Sequence, residues 1–489
     1  MQAAPLLRIT PRHLANKAAK TDRVLRAACP ILHHAIGQHG EIFLPTTDLP
    51  RLLSAALISL LLGTSAMAAP ITLALGGDLI GPYAPQDGAP TSGFGDVADL
   101  FAGADIGIAN FEGASFDLAT HTGPASAETG GGYPVIPPAN TALLARIGIR
   151  LVSKANNHAT DWGYQGLAET LATLRAQGIA YAGAGPTLDQ ASAPAYVDTP
   201  AGKVALISVA STFTPMSVAG PSVPRGGRMF DRPGINALHV HEVRLVRPAT
   251  MAALRRAAGP VQSPAGPHET RIGDQIFRTA PREGTVWEAD SADVARLMAA
   301  IRTARTHARI VVLAIHAHET AGHDDDLPPA AFEPLLLHRA NEAPSPDDPR
   351  PAGFLQPLFH QAIEAGADVV MRTGPHQVGG IEVWHGKPIF YSLGSLAFSF
   401  GGRHSYTAPG GQTKTLPQSW FETVVPVLRI DGARVQISLH PAVIHSSKDA
   451  LDGLPETPSP ARGAAILERV QRLSETYGTR MKAGVITLP

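Results

Sequence analysis

Asp78, Asn110 with Glu112, Asn156-Asn157-His158, His316 with His318 and Glu319, and His376 each follow closely on a short apolar run. Carboxylate, amide and imidazole side chains suit divalent ions of borderline hardness such as Zn, Mn or Fe. Open α/β sheets place their sites outside the carboxyl ends of strands, which is where these residues fall. Each element also has a plainer reading. A lone Asp after a strand is more often a helix cap, and Glu112 reads as a surface carboxylate. Asn156-Asn157-His158 stands before a helix, where turn or cap chemistry would explain it. His316 could be a satisfied core histidine, and His376, after Gly374-Pro375, a turn residue. With 20 histidines in the chain no single one carries much weight. The conjunction does, because the plain readings would have to coincide at five strand ends.

The elements that must position these residues alternate. Ile71–Leu75 reads as a strand ending in Gly76-Gly77-Asp78, and Ile106–Ala109 as a second ending in Asn110-Phe111-Glu112. Arg150–Ser153, Val204–Val209, Ile310–Ile315 and Val369–Met371 read as further strands. Thr141–Ile147, Tyr164–Gln177 and Phe354–Glu364 read as helices, with Pro357 tolerated in a first turn. Ile381–Trp384 and Pro388–Ser392 flank His385-Gly386, a hairpin turn signal. Strands alternating with helices argue for a layered α/β domain. Two stretches break the rhythm: 212–287, rich in Pro, Arg and Gly with a helical piece near 248–258, and 320–351, with Asp324-Asp325-Asp326. Loops this long are lids or insertions. Pro460–Lys482 reads as a helix in a C-terminal tail, 446–489.

Hydrophobic residues are 44 % and charged residues 17 % of the 489, so a sizeable core is expected. A formal charge of -1 does not advertise a nucleic-acid partner, which would favour a basic face. Arg51–Ala69, RLLSAALISLLLGTSAMAA, has the basic residue, apolar core and small-residue end (Ala66-Met67-Ala68) of a secretory signal. It is short of the roughly 20 apolar residues of a membrane span; a buried core helix is the plainer alternative. The expectation is a signal over 51–68, export to the periplasm or cell exterior, and a start placed too far upstream for residues 1–50. The alternative is a cytoplasmic tail before an uncleaved anchor. The single cysteine, Cys29, lies in that extension, so a chain beginning at Ala69 has no thiolate for a structural zinc site. A phosphate loop with Lys and Ser/Thr is absent, as is a G-x-S-x-G nucleophile motif.

Lys154–Gly185, KANNHATDWGYQGLAETLATLRAQGIAYAGAG, and Gly366–Phe398, GADVVMRTGPHQVGGIEVWHGKPIFYSLGSLAF, resemble blocks of the CapA (poly-γ-glutamate capsule-synthesis) family. Gly76-Gly77-Asp78, Ala109–Glu112, Arg232–Asn236 and His316–Glu319 follow its other landmarks in order, so the resemblance spans about 71–445. It implies a four-layer αββα sandwich similar to calcineurin-like metallophosphoesterases, over 69–445 with the two insertions. It implies metal positions at Asp78, Glu112, Asn157, His316 and His376, with Asn157 and His158 beside the reacting group. Asn110, His318 and Glu319 are additional candidates. Two departures stand out. Thr373-Gly374-Pro375-His376 replaces a frequent His-Gly-Pro-His, and Ser395 replaces the Asn of Ser-Leu-Gly-Asn. The first calls a full two-metal site into question.

One or two divalent ions at such a site would polarise a carbonyl or phosphoryl oxygen and acidify water, with His158 as general acid or base. Three functions are expected to compete: a capsule-associated hydrolase acting on an anionic polymer or peptide, with capsule ligase or export proteins as partners; a periplasmic phosphoesterase or nucleotidase; and a non-catalytic polymer-binding subunit of an export machine. Arg225, Arg228 and Arg232 are candidates for carboxylate contacts, because Arg matches them bidentately; ordinary surface charge on a solvated loop is the plainer reading.

Overall fold

The computed structural model describes residues 69–81, 94–126, 133–259, 263–266, 268–273, 275–320, 350–399, 401–402, 404–407, 413–447 and 451–488. The signal-like run before Ala69, the extension with Cys29, and nearly all of the 320–351 insertion with its acidic run lie outside the described residues. Residues from Ala69 onward form one unit.

Its fold is mixed α/β, organised on two large sheets. In the nine-stranded sheet, Ile71–Ile80 pairs in parallel with Ile106–Phe111, which pairs with Ile149–Ser153, and that with Ala180–Ala182. On its other side Ile71–Ile80 runs antiparallel to Glu422–Asp431, followed by Arg434–Ile444. The six-stranded sheet has the order Ile381–Trp384, Lys387–Phe390, Val369–Thr373, Ile310–His316, Gly202–Ala210, Ala195–Thr199. Its central strands are buried along their whole length. That is why they read as continuous rather than alternating apolar runs.

Side chains alternate between the faces of a strand, and the core divides accordingly. Leu73, Leu75, Ile106 and Leu151 of the first sheet share a cluster with Leu206, Val312, Ala314 and Met371 of the second. The opposite face of the first sheet packs Ala74, Ala109 and Val152 against Phe101 of helix Gly95–Ala102 and Leu167, Leu171 and Leu174 of helix Gly163–Ala176. The opposite face of the second packs Ile207, Val311 and Leu313 against helices Ser291–His307 and Leu355–Ala365. Asp290 starts the former by accepting from the Ala292 and Asp293 amides.

Three differences from the sequence reading have clear causes. The first strand does not stop before Gly76 but runs through Asp78 to Ile80, because Ser395–Phe398 pairs with its distal end. A Cβ on Gly77 would lie 1.7 Å from the Gly394 carbonyl oxygen, so glycine is what lets the two segments approach. The stretch 212–287 is no irregular loop. It holds the hairpin Gly220–Arg225/Arg228–Arg232 and a five-stranded sheet carrying helix Pro248–Ala258. The terminal helix ends at Glu475 rather than Lys482, and Pro455–Glu456 and Val485–Leu488 join the nine-stranded sheet. The tail is thus part of the main body. His385 and Gly386, with φ of 48° and 73°, make the hairpin turn between Ile381–Trp384 and Lys387–Phe390.

Candidate metal centre

Asp78 lies opposite Asn110 on one neighbour and Ser395 on the other, and Asn110 lies opposite Ser153. His316 lies opposite Ala210 and Thr373. Registers in two sheets thus set two groups of side chains at the carboxyl ends of their parallel strands. The groups meet. The Gly374 amide donates to Asp78 Oδ2 at 3.1 Å, and His376 Nδ1 lies 3.3 Å from the same oxygen. His316 Nε2 is 3.6 Å from Glu112 Oε1 and 3.0 Å from His318 Nε2.

Two triads result. Asp78, Glu112 and His316 offer ligand atoms all within 4.8 Å of one another, and so do Glu112, His318 and His376. Glu112 belongs to both. The donors are oxygen and nitrogen only, the set that borderline divalent ions take. Asn110 is scaffold to the group. Its Nδ2 lies 2.8 Å from Asp78 Oδ1, 3.3 Å from Glu112 Oε2 and 3.2 Å from His316 Nδ1. Asn156 donates in turn to Asn110 Oδ1 and to the Phe111 carbonyl.

The electrostatics favour a cation. Burial would raise the Asp78 carboxyl, but the hydrogen bond and charge of His376, the charge of His316 and the Asn110 amide outweigh it and hold the group well below the usual carboxylate range. Burial pushes His316 down to about 3, against the pull of Asp78. It holds His318 well below an ordinary histidine, helped by His316 and His376. Both imidazoles are therefore neutral near pH 7 and keep a lone pair. His316 Nδ1 is 3.2 Å from Thr373 Oγ1. Thr373, which stands where the resembling block frequently has histidine, thus lies within hydrogen-bond reach of the His316 ring.

His376 has φ of 57°, rare for a residue with a side chain. Such a conformation costs about 1–3 kcal/mol, and here it turns the ring toward Asp78, with Ser395 Oγ 3.2 Å from Nδ1. His158 sits at the rim. Its Nδ1 is 2.6 Å from Asp161 Oδ2 and its Nε2 is 4.0 Å from Glu112 Oε1. Asn157 is buried beside it.

Not every candidate joins the cluster. Glu319 Oε2 accepts from Ser211, and burial raises its carboxyl, so this acid is tied to a neighbouring loop and belongs to neither triad. Arg225, Arg228 and Arg232 stand on the exposed hairpin. Two residues escaped the sequence reading. Asp161 orients His158, and its spacing of three from that histidine was the available signal. Lys154 is wholly buried, with Nζ 5.9 Å from the centre of the Phe111 ring. Burial drives it down to about 7, against the charges of Asp161 and Glu112.

The model of a family described as "Bacterial capsule synthesis protein PGA_cap" matches residues 72–343 and 345–399. Two proteins of Sinorhizobium fredii (strain NBRC 101917 / NGR234), y4sH and y4uA, both described as uncharacterized, are similar along most of their length. Each is 30 % identical over 435 residues, covering 81 % of this chain and 88 % of the relative.

Proposed function

The chain belongs to the bacterial capsule synthesis protein family PGA_cap, and from that premise we propose that it is an exported, metal-dependent hydrolase acting on an anionic polymer or peptide of the poly-γ-glutamate type. The observation that carries this reading is the convergence of two buried carboxylates and three imidazoles in triads that share Glu112. The packing order of helices, sheet, sheet and helices supports a four-layer sandwich of the metallophosphoesterase kind. The signal-like run before Ala69 and the family itself support a place outside the cytoplasm.

Asp78, Glu112 and His316 would hold one ion, and Glu112, His318 and His376 a second, with Asn157 as a further ligand. A divalent ion supplies Lewis acidity and water of lowered pKa. The protein's own residues do the rest. Asp161 fixes the His158 ring through Nδ1, leaving Nε2 directed at the cluster. From there His158 can accept a proton from an attacking water or return one to a leaving amine or alkoxide. Neutral His316 and His318 add no charge to two carboxylates, so the site retains its appetite for cations.

The test is a substrate panel on the full chain, stripped with chelator and reloaded with Mn, Zn or Fe. The expected result is metal-dependent release of amino groups from polyglutamate. Turnover of p-nitrophenyl phosphate alone would favour the phosphoesterase reading. Polymer binding without turnover under any metal would favour a non-catalytic subunit.

A further inference from the structure

Of the five triad residues, His376 stands farthest beyond its strand, three positions past Thr373. Strand register fixes Thr373 opposite His316 and ends there, so the sheet itself does not orient the His376 ring. The segment in between is tightly confined. Gly374 has φ of 110°, and a Cβ on it would lie 2.6 Å from His318 Cδ2, so Gly374-Pro375-His376 passes directly against the neighbouring ligand. His376 itself has φ of 57°. Such a conformation persists only where the surroundings over-determine it.

The surroundings come from the other sheet. Phe398 ends the strand Ser395–Phe398 and lies opposite Ile80, on the strand that carries Asp78. Its ring centre is 5.1 Å from that of His376, tilted by 52°. Trp420, in the turn Gln418–Phe421 that leads into Glu422–Asp431, is 5.0 Å from His376 and tilted by 60°. Phe398 and Trp420 lie 6.3 Å apart at 24°. On a further side His318 is 5.5 Å from His376 and edge-on at 80°. These are the separations and tilts of packed aromatic rings. A second link runs beside the first: Ser419 Oγ donates to Gln377 Oε1 at 3.1 Å, and both residues are buried. Successive residues 419 and 420 thus grip the successive residues 377 and 376. Phe398 and Trp420 pack in turn on Leu416, Phe421 and Ile444, which roots the clasp. The Trp420 indole nitrogen is buried without a hydrogen-bond partner among the described residues. Trp420 therefore acts through its ring faces and not through a hydrogen bond.

We propose that Trp420 is a positioning residue for the metal centre: with Phe398 it clasps His376 against His318 and so preforms the Glu112–His318–His376 site, while the Asp78–Glu112–His316 site stands without it. The role rests on the reading of the triads as metal sites, and the experiment separates the failure of one from the failure of the other.

The full chain, stripped with chelator, is titrated with Co²⁺ in the absence of substrate and followed by visible absorption and equilibrium dialysis. Wild type should take up two ions. Trp420→Leu should hold the first ion as wild type does and bind the second about 10–100-fold more weakly, the usual loss when the support of a ligand is removed. Trp420→Phe keeps an aromatic wall and should stay within about threefold of wild type. Ser419→Ala, a smaller change should Trp420→Leu not fold, should weaken the same ion by about fivefold, the worth of one hydrogen bond. Three results overturn the positioning role and leave the metal centre intact: a second ion held as tightly by Trp420→Leu and Ser419→Ala as by wild type; both ions weakened alike; or Trp420→Phe as weak as Trp420→Leu. Wild type that takes up one ion overturns the second site and this role with it, and wild type that takes up none overturns the metal centre as a whole.

Discussion

Replacing Lys154 by Met should make the metal-free protein more stable, and only over part of the pH scale. The Lys154 side chain is fully buried and Nζ has no hydrogen-bond partner among the described residues. Burial lowers it from 10.5 to about 7. Between those values the folded state binds fewer protons than the unfolded one, so stability rises with pH through that window. Below about 7 the cost of the buried ammonium is present in full. The drop corresponds to about 5 kcal/mol at about 1.36 kcal/mol per pH unit. Methionine removes that cost and fills a similar volume, but Asp161 and Glu112 lose a compensating cation. The net gain expected near pH 6 is therefore smaller than that figure of about 5 kcal/mol. It should shrink as pH approaches about 10. Urea unfolding of both proteins with chelator present, at several pH values, reads the difference directly. A variant less stable than wild type near pH 6, or a difference that does not change with pH, would refute the reasoning.

Other expectations concern the site and its frame. Asp161→Asn should lower any hydrolytic rate about 10–100-fold with metal content unchanged, since it touches His158 and neither triad; loss of metal together with activity would assign Asp161 to the ligands. Metal held by Asp78, Glu112 and His316 should still be bound near pH 5.5, because burial pushes His316 down to about 3. Dialysis against buffers of falling pH, with release centred near the ordinary histidine value of about 6.5, would count against this. Gly77→Ala should cost about 3 kcal/mol or more in urea unfolding, because its Cβ meets the Gly394 carbonyl; a neutral result would mean that this crossing is loose.

The central strands were legible in the sequence because they are buried on both faces. Val204–Val209 and Ile310–Ile315 therefore stand out as unbroken apolar runs. The place of Asp78 within its strand was not legible. The pairing that extends the strand comes from Ser395–Phe398, more than three hundred residues later. The strands of 212–287 were hidden for another reason. Val240–Val246 and Gln275–Thr279 are mostly half-buried and carry arginines, so they lack both the apolar run and the clean alternation that mark a strand. At the site, the residue types after strands named most of the side chains that the structure brings together. Proximity in sequence misled for Glu319, whose side chain turns to Ser211 although His318 precedes it. No pattern in Lys154-Ala155-Asn156 announces a buried ammonium, because burial there depends on Phe111 arriving from the neighbouring strand.

Elemental analysis of the purified chain tests the metal centre most directly, with wild type and Glu112→Gln prepared side by side from cells supplied with Mn and Zn. Glu112 is the residue that both triads share. The account predicts stoichiometric metal in wild type and loss of all of it in Glu112→Gln, with the folded state retained by circular dichroism. Wild type without stoichiometric metal, or Glu112→Gln with its metal intact, would contradict it.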